Sequence, residues 1–352
     1  MSNSPAQFLP LFIVGSAICS SIGHFNAAAV AAMDANISNF TESEFIDTEG
    51  EPIVGAALHD VSVWGDDRHK AMFITVFQEI REALATDLPN SKIAVLILGP
   101  EHTRPGGCHG WVEGILFHVG GDRDPFHAGT AYLPFGKAGI GNAINRAQSL
   151  LYDQAAAPDI VLIIAVDSYF SAPTITHYLS QQRIKTSANP DGFIPGEAAA
   201  AIALARQSSA PWVLSMHGCG MAHETAAIGS NKPLRATGLT NAIRSAIGQA
   251  GVELAALDCH VSGVSGENWY FKEVELAINR VLERKVAEFP HHIITSRTGE
   301  IGAACAPFAL AWLFSSMAQP ACGIGQSALL HFSNDDGARV ALVIKGQYQT
   351  RS

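Results

Sequence analysis

The chain has 352 residues, 48% of them apolar and only 15% charged, with a formal net charge of −10. That length suffices for two domains or one large two-lobed one, and so apolar a composition excludes disorder and demands segments covered on both faces. With no Lys or Arg before Arg68, the acidic balance also excludes nucleic acid or an anionic membrane as partners held by charge alone.

In chain order, LFIVGSAI (11–18) is a short apolar run ending in small residues, the pattern of a parallel strand. The apolar start of the chain has no basic n-region, so it reads as part of this strand and not as a signal peptide. Residues 24–34 and 68–86 have helical spacing, and the acidic stretch 41–62 between them reads as irregular. IAVLILG (93–99) is a strand and EHTRPGGCHGW (101–111) a loop. AYLPFGKAGIGNAINRAQSLL (131–151) joins an apolar stretch to a Gly-rich turn and a helix that runs to about Gln154. Strand DIVLIIAVDS (159–168), a helix over 172–185, the loop 186–197 and strand AAAAIALA (198–205) complete a first series.

A second series begins with WVLSMHG at Trp212, followed by helix 238–250, strand ELAALDCH (253–260) and helix 270–288. Strand HHIITS (291–296), helix 303–318 and strands ALLHFS (328–333) and RVALVIKG (339–346) finish it. Residues 301–318 carry no charge, but Gly302, Pro307 and two serines suit a helix buried between layers and not a membrane span. Both series run strand, helix, strand, helix and close on a hairpin-like pair. The expectation is two similar α/β halves, 1–207 and 208–352, forming one unit, with Ala- and Gly-rich helices between two sheets. Six scattered cysteines with no CxxC pair imply reduced thiols and a cytoplasmic protein.

The turn before residue 139 has the form that presents a reactive side chain at a helix N-terminus, yet it holds Gly136, Lys137, Ala138 and Gly139. His102, Cys108 and His109, like His217, Cys219 and His223, are metal-binding residue types without zinc-site spacing. No metal and no cofactor is expected, and no Walker or dinucleotide motif is present.

Three stretches resemble β-ketoacyl synthases. DGFIPGEAAAAIAL (191–204) is similar to their Asp-Gly-Phe-x-x-Gly-Glu segment, and DCHVSGVSGENWYFKEVELAI (258–278) to their His-Gly-Thr-Gly-Thr stretch with its following helix. TGEIGAACAPFALAWL (298–313) resembles their Gly-His-x-x-Gly-Ala-Ala-Gly helix start, while FIVGSAICSSIG (12–23) and IIAVDS (163–168) match two of their strands in order. The resemblance implies a thiolase-like, five-layered α/β/α/β/α fold built from two similar halves. It also implies a homodimer that pairs an edge strand, here IVLIIAVDS.

Site positions follow from the same resemblance. The family's nucleophilic Cys falls at Lys137 or Ala138, where a helix dipole and backbone N–H groups would lower a thiol pKa and stabilise an oxyanion. The first catalytic His falls at His260, and the second at Gly299, flanked by Thr298 and Glu300. The family's Lys is replaced by Ile294 or Thr295, and its final glycine-rich loop by SNDDG (333–337). Nucleophile, one His and final loop are replaced together, so condensation, which needs them as a unit, is not expected.

Lys137 is then either an amine nucleophile or, more in keeping with the loss of its partners, a residue that turns outward or fills space. His260 is either a surviving acid or base or a satisfied core residue, and Cys259 beside it faces the other way in a strand. Glu197 is expected to hold its turn by accepting backbone N–H bonds. Degenerate proteins of this kind occur beside type VI secretion effector genes, which implies an accessory scaffold or adaptor with a secretion effector or spike component as partner. The alternatives are an acyltransferase with an atypical site and a sensor that binds an acyl or pantetheine ligand.

Overall fold

A strand that is apolar along almost its whole length is stable only when both of its faces are covered. In the computed structural model, which describes residues 8–59, 61–84, 88–121, 125–153 and 156–349, such strands divide their side chains between two cores. Val161, Ile163 and Ala165 enter a central core, while Leu162, Ile164 and Val166 enter an outer one.

The first half comprises β1 (Leu11–Ser20), α1 (Asn26–Asp34), β2 (Thr41–Ile46), β3 (Pro52–Gly55), α2 (Gly65–Ala83) and β4 (Ile93–Leu98). It continues through α3 (Ile115–Gly120), β5 (Ala131–Leu133), α4 (Gly139–Tyr152), β6 (Ile160–Ser168), α5 (Ala172–Ser180) and β7 (Glu197–Ala205). The second half comprises β8 (Trp212–His223), α6 (Thr237–Ala250), β9 (Cys259–Ser262), α7 (Asn268–Val281) and β10 (His291–Ile293). It ends with α8 (Thr295–Thr298), α9 (Cys305–Ser316), β11 (Ser327–Ser333) and β12 (Ala338–Tyr348).

Leaving aside the β2–β3 hairpin, the strand orders are β5-β4-β6-β7-β1 and β10-β9-β11-β12-β8. Each half therefore runs third, second, fourth, fifth, first. In each, the first two pairings are parallel and the last two antiparallel. The expected two sheets are joined into one ladder, because the open edges of β1 and β8 meet through Leu11–Met216, Phe12–Ser215 and Ile13–Leu214.

Helix α2 covers the outer face of the first half, and α6 and α7 cover that of the second. Helices α4 and α9 lie between the sheets, with nearly all of α9 buried as its uncharged sequence requires. The result is five layers.

Several local expectations change. Residues 41–62, expected to be irregular, contain the β2–β3 hairpin, whose alternating exposure marks a strand with one covered face. Residues 254–256 form a 3₁₀ turn, so the strand expected over 253–260 begins only at Cys259. The helices expected over 172–185 and 270–288 stop at Ser180 and Val281, and the strand over 291–296 yields to α8 after Ile293. Gln154 and residues 85–87, where two helices were expected to end, lie outside the described residues. IVLIIAVDS is not an edge strand: β6 is paired on both sides, with β4 and β7, and among the described residues the edge of this half is the three-residue β5. Among the described residues no helix is long and apolar enough to cross a membrane.

Helix α6 rests directly on the backbone of β8. A Cβ at Gly220 would lie 2.0 Å from the Ala242 carbonyl oxygen, and one at Gly218 2.1 Å from that of Ala246. Gly220→Ala is therefore expected to destabilise the protein by roughly 2–3 kcal/mol through overpacking, read as a lowered urea midpoint. An unchanged midpoint would mean that α6 can back away freely.

Candidate functional site

Gly136 opens the turn ahead of α4 with a φ of +62°, and a Cβ there would lie 2.1 Å from the Glu101 carboxylate. The helix starts in the central layer, where its first N–H groups need protein partners; those of Gly139 and Gly141 donate to the local Gly136 and Ala138 carbonyls at 3.1 Å. The Ala138 N–H donates to Asn334 Oδ1 at 2.8 Å, and Asn334 Nδ2 donates to the Phe135 carbonyl at 2.8 Å. A side chain from the 333–337 turn thus takes the N–H at the start of α4.

Lys137 points inward and is buried. Its Nζ donates to Glu300 Oε2 at 2.6 Å and to the Gly263 carbonyl at 3.1 Å. Glu300 Oε1 accepts the Gly302 N–H at 2.8 Å. The Glu300 main chain is strapped to the 191–197 segment, donating to the Ile194 carbonyl at 2.7 Å and accepting from the Gly196 N–H at 3.0 Å. Gly299, with a φ of +66°, permits that approach, since a Cβ there would lie 2.8 Å from the Ile194 oxygen.

Burial pulls the Lys137 pKa down, but the Glu300 carboxylate together with Cys305 and Asp335 outweighs it, and the net displacement is upward. The amine is held protonated at neutral pH, which makes it a donor and not a nucleophile. Cys305, at the start of α9, reaches the same place: a Cβ on Gly263 would lie 2.7 Å from its Sγ. Burial pushes that thiol far up, so the thiolate is not formed.

Above the pair, Arg183 bridges Glu267 and Asp335, each at 2.7 Å, and the Tyr178 and Tyr270 hydroxyls donate to Asp335. The space left among Lys137, Glu300, Tyr169, Arg183, Asn334 and Asp335 is about 10 Å³. A small-molecule site encloses upwards of about 300 Å³. This centre is filled.

Solved ketosynthase structures match this architecture over nearly its whole length. A chain from a type II polyketide synthase acyl-carrier protein in complex with its ketosynthase bound to the hexaketide gives a TM-score of 0.75 at 13% identity, covering 96% of this chain and 100% of that one. A chain from a ketosynthase in complex with its chain length factor, from Xenorhabdus doucetiae, gives 0.69 at 15% identity over 98% of this chain and 100% of that one. An oxazolomycin ketosynthase domain from Streptomyces albus gives 0.75 at 14% identity over 97% of this chain and 76% of that one. The fold is thiolase-like, of the ketosynthase type. No protein-family model matches the sequence, and no curated protein sequence does either.

Within this ketosynthase-type fold, Lys137, Ala138, Gly299 and Glu300 converge, and Lys137 turns inward instead of outward. His260 does not join them. Cys259 and Val261 face the central core, so His260, between them, faces the outer layer. There its Nδ1 lies 3.1 Å from His331 Nε2, and its ring stacks on His291 at 4.0 Å. What reaches Lys137 from this part of the chain is the backbone of Gly263. Ile294 is buried in the central core, and Thr295 Oγ1 donates to the Val264 carbonyl.

Glu197 does accept a backbone N–H, from Leu58 at 2.7 Å, and it also holds Arg68 in a buried ion pair. His109 Nδ1 lies 2.6 Å from the Tyr132 hydroxyl, its ring against His102, while Cys108 contacts the Gly106 carbonyl. His217 lies 2.8 Å from Ser215 Oγ, and Cys219 enters the central core. Sequence reasoning missed Gly263, Cys305 and Arg183 as parts of the centre. Asn334 was visible in SNDDG, but only as a replaced loop.

Removing one partner of a buried pair strands the other charge. Glu300→Ala is expected to cost about 3–5 kcal/mol, with most of that recovered when Lys137→Met is combined with Glu300→Leu. Urea unfolding of the two variants measures it, and equal losses in both would argue against the pair as the cause.

Burial raises the Glu101 carboxyl from its ordinary 4.5 to about 7. The folded chain keeps a proton there that the unfolded chain releases, so this contribution to stability is present below pH 4.5 and lost as pH rises through 7. Glu101→Gln is expected to be more stable than the parent at pH 8 and nearly equal to it at pH 4.5. A difference of the same size at both values would refute the assignment.

Proposed function

We propose that this ketosynthase-type protein performs no condensation and acts as a scaffold or adaptor for other proteins, in the handling of type VI secretion effectors. The filled centre carries this reading. At the place where the resemblance puts a nucleophile, a protonated lysine is paired with Glu300, and the nearby Ala138 N–H is already taken by Asn334. An acyltransferase built on Lys137 would need the free amine. An acyl or pantetheine sensor would need far more room than about 10 Å³.

The secretion setting rests on the resemblance to degenerate proteins of such gene clusters, and it makes a secretion effector or spike component the partner. The unpaired state of all six cysteines supports a reducing, cytoplasmic setting. A homodimer is part of the proposal, with the β5 edge in place of β6. A second reading has one observation in its favour: a matched structure is a ketosynthase in complex with its chain length factor, which makes a catalytic ketosynthase the partner.

Pure protein incubated with acyl-thioester donors is expected to show no adduct by intact mass and no released thiol. Thiol release abolished by Lys137→Ala or His260→Ala, or a stable adduct on Lys137, would overturn the non-catalytic reading. Affinity capture from the native cell is expected to bring down an effector or spike component. Recovery of a ketosynthase instead would select the second reading.

A further inference from the structure

We infer that His260, His291 and His331 form a binding site for a divalent transition-metal ion of the zinc class, on the outer face of the second half. Three neighbouring strands supply one imidazole each. In the parallel pairing of β10 with β9, His291 lies opposite His260. In the parallel pairing of β11 with β9, Leu329 lies opposite His260, so His331, two residues on, projects from the same face.

One ring nitrogen from each residue lies within 4.8 Å of the other two. Zinc–imidazole bonds of about 2.0–2.1 Å in tetrahedral geometry set neighbouring ligand atoms about 3.3 Å apart. His260 Nδ1 and His331 Nε2, at 3.1 Å, already have that spacing. The His291 ring, stacked nearly parallel on that of His260, would have to turn and shift to aim its Nδ1 at the ion, leaving Nε2 to Ser262. Ser262 Oγ, 2.7 Å from His291 Nε2, gives that ring the kind of hydrogen-bond partner that orients a ligand. Burial depresses the pKa of all three rings, so each is neutral at physiological pH and offers a lone pair.

The set contains no carboxylate, which favours zinc, cobalt or nickel over magnesium or calcium. Three ligands leave a fourth position for water. His260 and His331 are buried, whereas His291 is only partly so and lies on the edge strand β10, where an ion can enter. Strand β10 is held by three ladder residues. An ion would tie it to β9 and β11, a structural clasp independent of the Lys137 centre.

Metal-free, untagged full-length protein titrated with Zn²⁺ is expected to bind about one equivalent with a dissociation constant below about 1 μM. Co²⁺ should give the visible absorption of a tetrahedral complex, without a thiolate charge-transfer band. His291→Ala should weaken binding about ten-fold or more and abolish the Zn²⁺-induced rise in Tm, while the His102→Ala/His109→Ala double variant binds like the parent. Absence of saturable binding would overturn the proposal. So would binding that His291→Ala leaves intact, or binding lost in the double variant. His291 sits at the sheet edge, so circular dichroism of His291→Ala separates loss of the site from loss of the fold. Parallel measurement of His291→Gln provides a second side chain of similar reach.

Discussion

A lysine ammonium in the central layer of a sheet–helix–sheet stack has to be matched by a carboxylate, and the Lys137–Glu300 pair is that match. The pair fixes more than two side chains. It ties the start of α4 to the 294–302 segment, which is itself strapped through the Glu300 main chain to residues 194–196. The same device recurs nearby. Arg104 pairs with Asp167, whose carboxylate also accepts the Ala303 N–H ahead of α9, and Arg68 pairs with Glu197. In a chain with few charges, these interior pairs tie the starts of helices and strands to one another, and through Glu300 and Asp167 they join one half to the other.

This arrangement separates the scaffold from its chemistry. Two helices begin between two sheets with their N–H groups turned inward, a geometry able to hold a thiolate and an oxyanion. Here the same positions hold an ion pair and an asparagine side chain, and the roof is closed by Arg183 and Asp335. The ketosynthase-type fold does not depend on the reaction, because its stability comes from strands covered on both faces and not from the occupants of that centre.

Strand register decides where the polar residues of the second half go. His260 and Gly263 are three residues apart, yet the side chain of one faces the outer helices while the carbonyl of the other reaches Lys137. The resemblance of residues 258–278 placed a His at the centre. The alternation of β9 sends that His to the opposite face, where two strands far along the chain bring His291 and His331 to meet it.

Much of the architecture was legible in the sequence, because the periodicities of strand and helix are local and apolar runs such as β4, β6 and α9 announce burial on every side. The order of elements, their repetition in two series and the anomalous turn at Gly136–Gly139 were determined there. The β2–β3 hairpin was misread because its polar alternation, with one face exposed, resembles a loop. The partners were settled only by tertiary structure. Glu300 lies 163 residues from Lys137, and Asn334 lies 196 from Ala138. No local pattern says which way a lysine turns or which face of a strand is central. Those outcomes depend on which distant carboxylate, carbonyl or helix the folded layers bring within a few ångströms, and on the cost of leaving a buried charge or N–H unmatched.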